Sequence, residues 1–280
     1  MKTLRLFGTA SLAAMLAGGV IAQSGCTYIN RVLAKDNLNQ GVIFFNQGKF
    51  NMAFDRIQKA TRQDPENPNA WLFYGATLVK AYNNANNDEE RKARQLEAIA
   101  AYENALAKSE SIPIPQNRCQ SKDNAIGYLA KIYDDMGNEN KHREWLLKRT
   151  EGDCATDQVK AATYYSIGVG YWKKAYDETQ RYADKAQATS NPFHYRNIYV
   201  AEDKKKFEDA VSAGFQYLEN ALKINPKYAD ALSYKSLLYR EKQKTTNVTA
   251  EQKKYEDEAV KLAKEVIELN KQAAAQAPQG

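Results

Sequence analysis

Histidine is almost missing from this chain: its 280 residues include two, His142 and His194. Neither has a Cys or a carboxylate at metal-ligand spacing, so the sequence offers no metal site built on imidazole. Glycine-rich phosphate loops, nucleophile elbows and His-x-x-x-His pairs are absent as well. No catalytic constellation remains, and no cofactor or metal is implied. Strand signals are missing too; none is longer than the stretch 193–200. Cys is scarce, and Cys26, Cys119 and Cys154 make an odd set. No acidic residue precedes Asp36. The formal charge of +6 is a mild surplus that does not argue for nucleic acid. Glu89-Glu90, Asp134-Asp135 and Lys204-Lys205-Lys206 are short charge runs of the kind that form solvated helix faces.

What is present begins at the N-terminus. Lys2 and Arg5 flank the start of a small-residue-rich apolar stretch, Leu6 to Ala17. It is shorter and richer in Gly and Ala than a stable membrane span, so residues 1–25 read as a secretory signal. Two processing sites compete. Val20-Ile21-Ala22 suits ordinary signal peptidase. Gln23-Ser24-Gly25-Cys26 resembles a bacterial lipobox, with a small pair before the Cys that is acylated; Gln23 stands where an aliphatic residue is usual. The odd Cys count favours the second site, because lipid on Cys26 leaves Cys119 and Cys154 as one pair. Three acyl chains would anchor the chain stably on a membrane. Thr27 follows in place of the Asp that resembles an inner-membrane retention signal. The expected location is therefore the periplasmic face of the outer membrane, or the soluble periplasm without the lipid. Loss of Lys2 and Arg5 lowers the charge from +6 to +4.

Beyond the leader, Gly41, Phe44, Gly48, Phe50, Ala53, Ile57, Ala60 and Pro65 fall at the spacing of two antiparallel helices that stack on copies of themselves. Gly41 and Ala53 are small where the helices meet, Phe44, Phe50 and Ile57 fill the space beside them, and Pro65 ends the second helix. One period later comes Trp71-Leu72-Phe73-Tyr74-Gly75, again in phase. The unit resembles the tetratricopeptide repeat (TPR), a 34-residue helix-turn-helix. The resemblance implies an all-α, right-handed superhelical solenoid of about five helical hairpins, continuous over residues 26–272, with a disordered tail at 273–280. The second hairpin has an enlarged polar turn in which Asn87 or Asp88 caps the next helix. Ser109 to Asn117 reads as a linker. The third, Asp123 to Arg149, is degenerate, with His142 where a small residue belongs. The fourth carries Gly168 and Tyr171 in phase and an aromatic insert, Phe193 to Val200. In the fifth, Thr249 and Gln252 have capping-box spacing.

Such repeats bind other proteins and rarely catalyse, so the resemblance implies a non-enzymatic interaction scaffold. By repeat phase, Phe73, Lys80, Tyr128, Lys131, Tyr165, Trp172 and Tyr234 face the groove lined by the first helices. Family members that hold acidic C-terminal peptides use Lys and Asn at set groove positions; here Leu38 and Val42 occupy those of the first repeat, so that clamp is absent. An aromatic groove with scattered Lys suits an extended segment or a helix of a protein partner. Cys119 and Cys154 stand before and after the third hairpin. An antiparallel hairpin returns the chain to its starting end, which favours a disulfide over a metal pair or two buried thiols. The layout resembles bacterial outer-membrane repeat lipoproteins that support assembly of envelope complexes. A soluble-ligand or peptide-binding module and a docking accessory of a cell-wall hydrolase are the alternatives.

Overall fold

The computed structural model describes residues 11–186, 201–246 and 248–276. Ten helices and no strand occur among the described residues. They pair in chain order: α1 (Ser11–Asn46) with α2 (Phe50–Gln63), α3 (Pro68–Asn83) with α4 (Asp88–Ser109), α5 (Pro115–Asp135) followed by α6 (Glu139–Lys148), α7 (Asp157–Ala186) with α8 (Ala201–Ile224), and α9 (Ala229–Thr245) with α10 (Thr249–Gln276). The chain divides into two compact units, Met1–His142 and Arg143–Gly280.

Local chemistry explains the helix ends. Gly48 and Gly137 have φ of 74° and 69°, the left-handed conformation that glycine adopts without strain. In each case two backbone bonds close the preceding helix. Gly48 N–H reaches Phe45 O at 3.0 Å and Lys49 N–H reaches Phe44 O at 2.9 Å. Gly137 and Asn138 repeat the pattern onto Asp134 and Tyr133 at 2.9 and 2.8 Å. This is the Schellman arrangement, which satisfies carbonyls that a helix C-terminus would leave open. Asn87 caps α4 by accepting Glu90 N–H at 2.8 Å.

Three expected boundaries move. Pro115 to Asn117 belong to α5, because Pro at the first helical position gives up only a donor that would be unpaired anyway. The Thr249–Gln252 capping box does not form; Gln252 instead donates to the Thr246 carbonyl at 3.2 Å, and the Thr246 hydroxyl accepts Val248 N–H at 3.2 Å. The last helix continues to Gln276 rather than fraying from Ala273, since the Ala273-Ala274-Ala275 run has high helix propensity. The insert Phe193–Val200 and residues 277–280 lie outside the described residues, as do residues 1–10 and the side chain of Cys26. Among the described residues no helix is long and apolar enough to cross a membrane.

In the first unit each helix packs on the next, and α1 also touches α3, as α3 touches α5. First helices therefore line up beside one another, the stacking rule of a helical solenoid. The crossings need small residues. A Cβ built on Gly41 would lie 2.4 Å from Ile57 Cγ1, and one on Gly75 would lie 2.6 Å from the Tyr102 ring. Ala53, Ile57, Ala60, Ala98 and Ala105 are fully buried along these seams. In α2, Ala53, Ile57, Ala60 and Thr61 form one buried stripe at helical spacing. His142, the misfit of the third repeat, is half-buried and uses Nδ1 against the Ala130 carbonyl at 2.8 Å, so its bulk is absorbed by a hydrogen bond.

The second unit follows the same rule: α7 packs on α8 and α9, α8 on α9, and α9 on α10. A Cβ on Gly168 would meet Leu218 Cγ at 2.7 Å, and one on Gly214 would meet Leu238 Cδ1 at 2.9 Å. Ala175, Phe207, Val211, Leu218, Ala221, Ala231 and Leu238 form the buried core between these helices. Burying a large apolar side chain contributes about 1.5–3 kcal/mol, so this seam outweighs the modest propensity of its helices.

Candidate partner-binding face

Tyr165, Trp172 and Tyr176 lie seven and four residues apart on α7, which places them on one face of the helix. The contact of α7 with α9 sets that face against Tyr228, Tyr234 and Leu237. The rings interlock. Tyr165 packs on Tyr228 and Tyr234 with centroids 5.0 and 5.7 Å apart. Trp172 meets Tyr234 edge to face at 5.0 Å and stacks on Tyr176 at 5.4 Å. Such pairs each add about 0.5–1.5 kcal/mol beyond their area. The cluster pushes the Tyr165 hydroxyl up to about 12, chiefly by burial, then by the nearby charge of Asp230 and the Tyr234 and Tyr228 phenols.

One end of this face is polar and buried. Glu241 is 3% exposed and accepts the Thr179 hydroxyl at 2.5 Å. Lys244 donates to both Glu241 oxygens at 2.8 Å and lies 5.7 Å from the Tyr176 ring centroid. A buried carboxylate persists only when paired and hydrogen-bonded in this way. Trp172, Tyr176, Leu237, Arg240, Glu241, Gln243 and Lys244 enclose an open pocket of about 360 Å³. This lies at the small end of the usual range for ligand pockets, about 300–1,000 Å³. The Trp172 indole nitrogen is buried and has no hydrogen-bond partner among the described residues. The contrast with Trp71, whose indole donates to the Pro65 carbonyl at 2.8 Å, is direct.

The groove residues expected from the sequence divide between the units. Tyr165, Trp172 and Tyr234 are brought together as described. Phe73, Lys80, Tyr128 and Lys131 belong to the first unit and make no comparable cluster. Phe73 packs edge-on to Phe45 at 6.4 Å, and Tyr128 stacks on Tyr102 at 4.9 Å. Lys80 lies 5.7 Å from the Phe50 centroid, and Lys131 pairs with Asp135 and Asp134 at 2.5 and 3.1 Å. Tyr171 serves packing: it stacks on Tyr217 at 5.7 Å and its hydroxyl accepts from Arg143 at 2.6 Å. Tyr176, Arg240, Glu241 and Lys244 were not foreseen. Tyr176 was within reach of the sequence, one turn beyond Trp172. Glu241 was not, because a charged residue in the last turn of a helix normally faces water.

Two larger concavities exist, each within one unit. One of about 1,100 Å³ is lined by α8, the end of α9 and the start of α10, and one of about 610 Å³ by α2, the end of α3 and the start of α4. Size does not favour them, because much of their polar lining is paired internally. In the larger, Glu219 pairs with Lys235 at 3.1 Å, Glu251 accepts the Thr246 hydroxyl at 2.6 Å, and Lys242 lies 4.7 Å from the Tyr255 centroid. In the smaller, Asn84 donates to the Lys80 carbonyl at 3.0 Å and Glu90 accepts Asn86 N–H at 3.3 Å. Cys119 and Cys154 are disulfide-bonded, the favoured outcome among the three open for that pair. Among the described residues no group of three or more His, Cys, Asp or Glu is arranged to hold a metal ion.

No protein-family model matches this chain, and no curated protein matches it. Several solved structures are similar. A MamA protein is 16% identical with a TM-score of 0.49, covering 89% of this chain and 97% of that one. YrrB, a TPR protein with an unusual peptide-binding site, is 12% identical with a TM-score of 0.39, covering 83% and 84%. A TPR repeats protein from Bacteroides fragilis is 17% identical with a TM-score of 0.37, covering 75% and 97%.

Proposed function

We infer that this all-α array of TPR-type hairpins is a protein-interaction scaffold that acts by binding rather than catalysis. The carrying observation is the α7–α9 face. It presents Trp172 and Tyr176 at an open pocket that Leu237, Arg240 and Gln243 also line. Large rigid rings are what partner anchors use, because they offer much contact area for little lost side-chain entropy. The favoured partner is a protein that contributes an extended segment or a helix.

The proposed setting is the envelope. The Lys2 and Arg5 leader, the Ser24-Gly25-Cys26 run and the Cys119–Cys154 disulfide all suit an exported chain. Acylation at Cys26 would hold it at the periplasmic face of the outer membrane, where it would support assembly of an envelope complex. Labelling with a fatty-acid analogue tests the anchor: wild type should be marked and Cys26→Ser should not. A mature protein that begins at Gln23 would contradict the lipid. Affinity capture from detergent-solubilised envelopes tests the partner class. Recovery of membrane assembly components supports the scaffold reading; recovery of cell-wall hydrolases instead would favour the docking-accessory role.

A further inference from the structure

The pocket between α7 and α9 is one-sided in its hydrogen bonding. Its buried carboxylate is already used: Glu241 accepts from Thr179 at 2.5 Å and from Lys244 at 2.8 Å on each oxygen. That pairing also neutralises Lys244. The groups left open are donors. Arg240 and Gln243 line the same pocket, and neither has an ion pair or a side-chain hydrogen bond among the described residues. The remaining surface is apolar: the Trp172 and Tyr176 rings and Leu237. The unbalanced charge of the pocket is that of Arg240.

We propose that this pocket binds a peptide segment that sets an apolar side chain beside an Asp or Glu: the apolar group rests on Trp172, Tyr176 and Leu237, and the carboxylate pairs with Arg240. The inference rests on the reading of the α7–α9 face as a partner-binding surface and adds the chemistry of what it binds. Charge complementarity carries it. A basic segment would meet Arg240 as a like charge, and a purely apolar one would leave the guanidinium unpaired. Gln243 can serve either polarity, so the acid preference falls to Arg240. An Arg guanidinium binds carboxylates through two parallel N–H bonds, which gives geometric selectivity as well as charge.

The test is selection of random displayed dodecapeptides against the full chain, followed by binding measurements with the winners. The expected winners carry Asp or Glu within two residues of an aromatic or aliphatic side chain. Their affinity should fall about tenfold or more in Arg240→Gln, and in Trp172→Ala, which removes the ring that the apolar side chain rests on. Arg240 is exposed, so Arg240→Gln should leave the melting temperature unchanged. Replacing the winning Asp or Glu by Asn or Gln should match the loss seen with Arg240→Gln. Winners that depend on Trp172 but carry no acid, or that ignore Arg240→Gln, would overturn the acidic-segment inference and leave the binding face standing. Winners indifferent to both substitutions, or no winners, would overturn both.

Discussion

Two glycines, two positions apart on α7, separate close approach from simple helix propensity. A Cβ on Gly168 would lie 2.7 Å from Leu218 Cγ and 3.2 Å from its backbone nitrogen, whereas nothing lies within 4 Å of one on Gly170. In a helix interior Ala is favoured over Gly by about 0.8–1.0 kcal/mol. Gly170→Ala should therefore raise the thermal midpoint. Gly168→Ala should lower it, because overpacking costs about 1–3 kcal/mol and the backbone of α8 cannot step aside as a side chain can. Equal shifts would mean that the helix crossing is misplaced. The same logic applies to Ala53, which is fully buried: Ala53→Leu should cost about 1–3 kcal/mol by overpacking, and Lys59→Leu on the exposed face much less. Tyrosine burial gives a pH signature. Tyr165 is raised to about 12, and Tyr74, Tyr217, Tyr228 and Tyr239 are also raised, each chiefly by burial. A raised folded-state value means that the folded chain holds its proton longer than the unfolded one. That stabilisation is fully present below the ordinary tyrosine value of 10.0 and is lost as pH rises through 12. Denaturant midpoints should thus fall over this window. Tyr165→Phe, which keeps the ring and removes the proton, should flatten part of the fall.

Helix termini and crossings were legible in the sequence to the extent that each depends on one residue type. Asn87 marked the cap of α4, and Gly41, Gly75 and Gly168 the seams, because few other residues serve at those points; the Schellman turns at Gly48 and Gly137 emerge only in the structure. Boundaries set by competition between weak signals were not legible. Pro115 reads equally as linker or helix start, and Thr249 lost its cap to Thr246 because that hydroxyl reaches the Val248 N–H two residues on. The aromatic face between α7 and α9 was half legible. Repeat phase placed Tyr165, Trp172 and Tyr234 together, since three rings at helical spacing on two neighbouring first helices must meet. It misread the character of Lys80 and Lys131, which bend to partners inside their own unit. It also missed Glu241, whose burial depends on Thr179 some 62 residues away in sequence. At this scale the disulfide offers a clean test. It closes a loop of about 36 residues, for which chain entropy gives roughly 3–4 kcal/mol. Cys119→Ser should lower the thermal midpoint accordingly, and reduction of the wild type should do the same. No change in either would show that the closed stretch is ordered without the bond.

At the scale of the whole molecule the two compact units differ in character. The first, Met1–His142, repeats small-residue crossings and pairs many of its exposed charges internally. The second, Arg143–Gly280, holds the interlocked rings of α7 and α9 and the pocket with unpaired donors. Tyr171 checks that these roles are distinct, since it shares α7 with Trp172 but packs on Tyr217. Tyr171→Ala should lower stability while leaving partner affinity per folded molecule unchanged. The most direct measurement of the central claim is site-specific photo-crosslinking in cells that make the protein. A photoreactive phenylalanine is placed at Tyr176 or at Gln243 in the α7–α9 pocket, and at Glu208 or Tyr255 in the larger concavity of about 1,100 Å³. A discrete crosslinked partner is expected from positions 176 and 243 and none from 208 and 255. Crosslinks from 208 and 255 alone would show that the wider groove, and not the aromatic face, carries recognition.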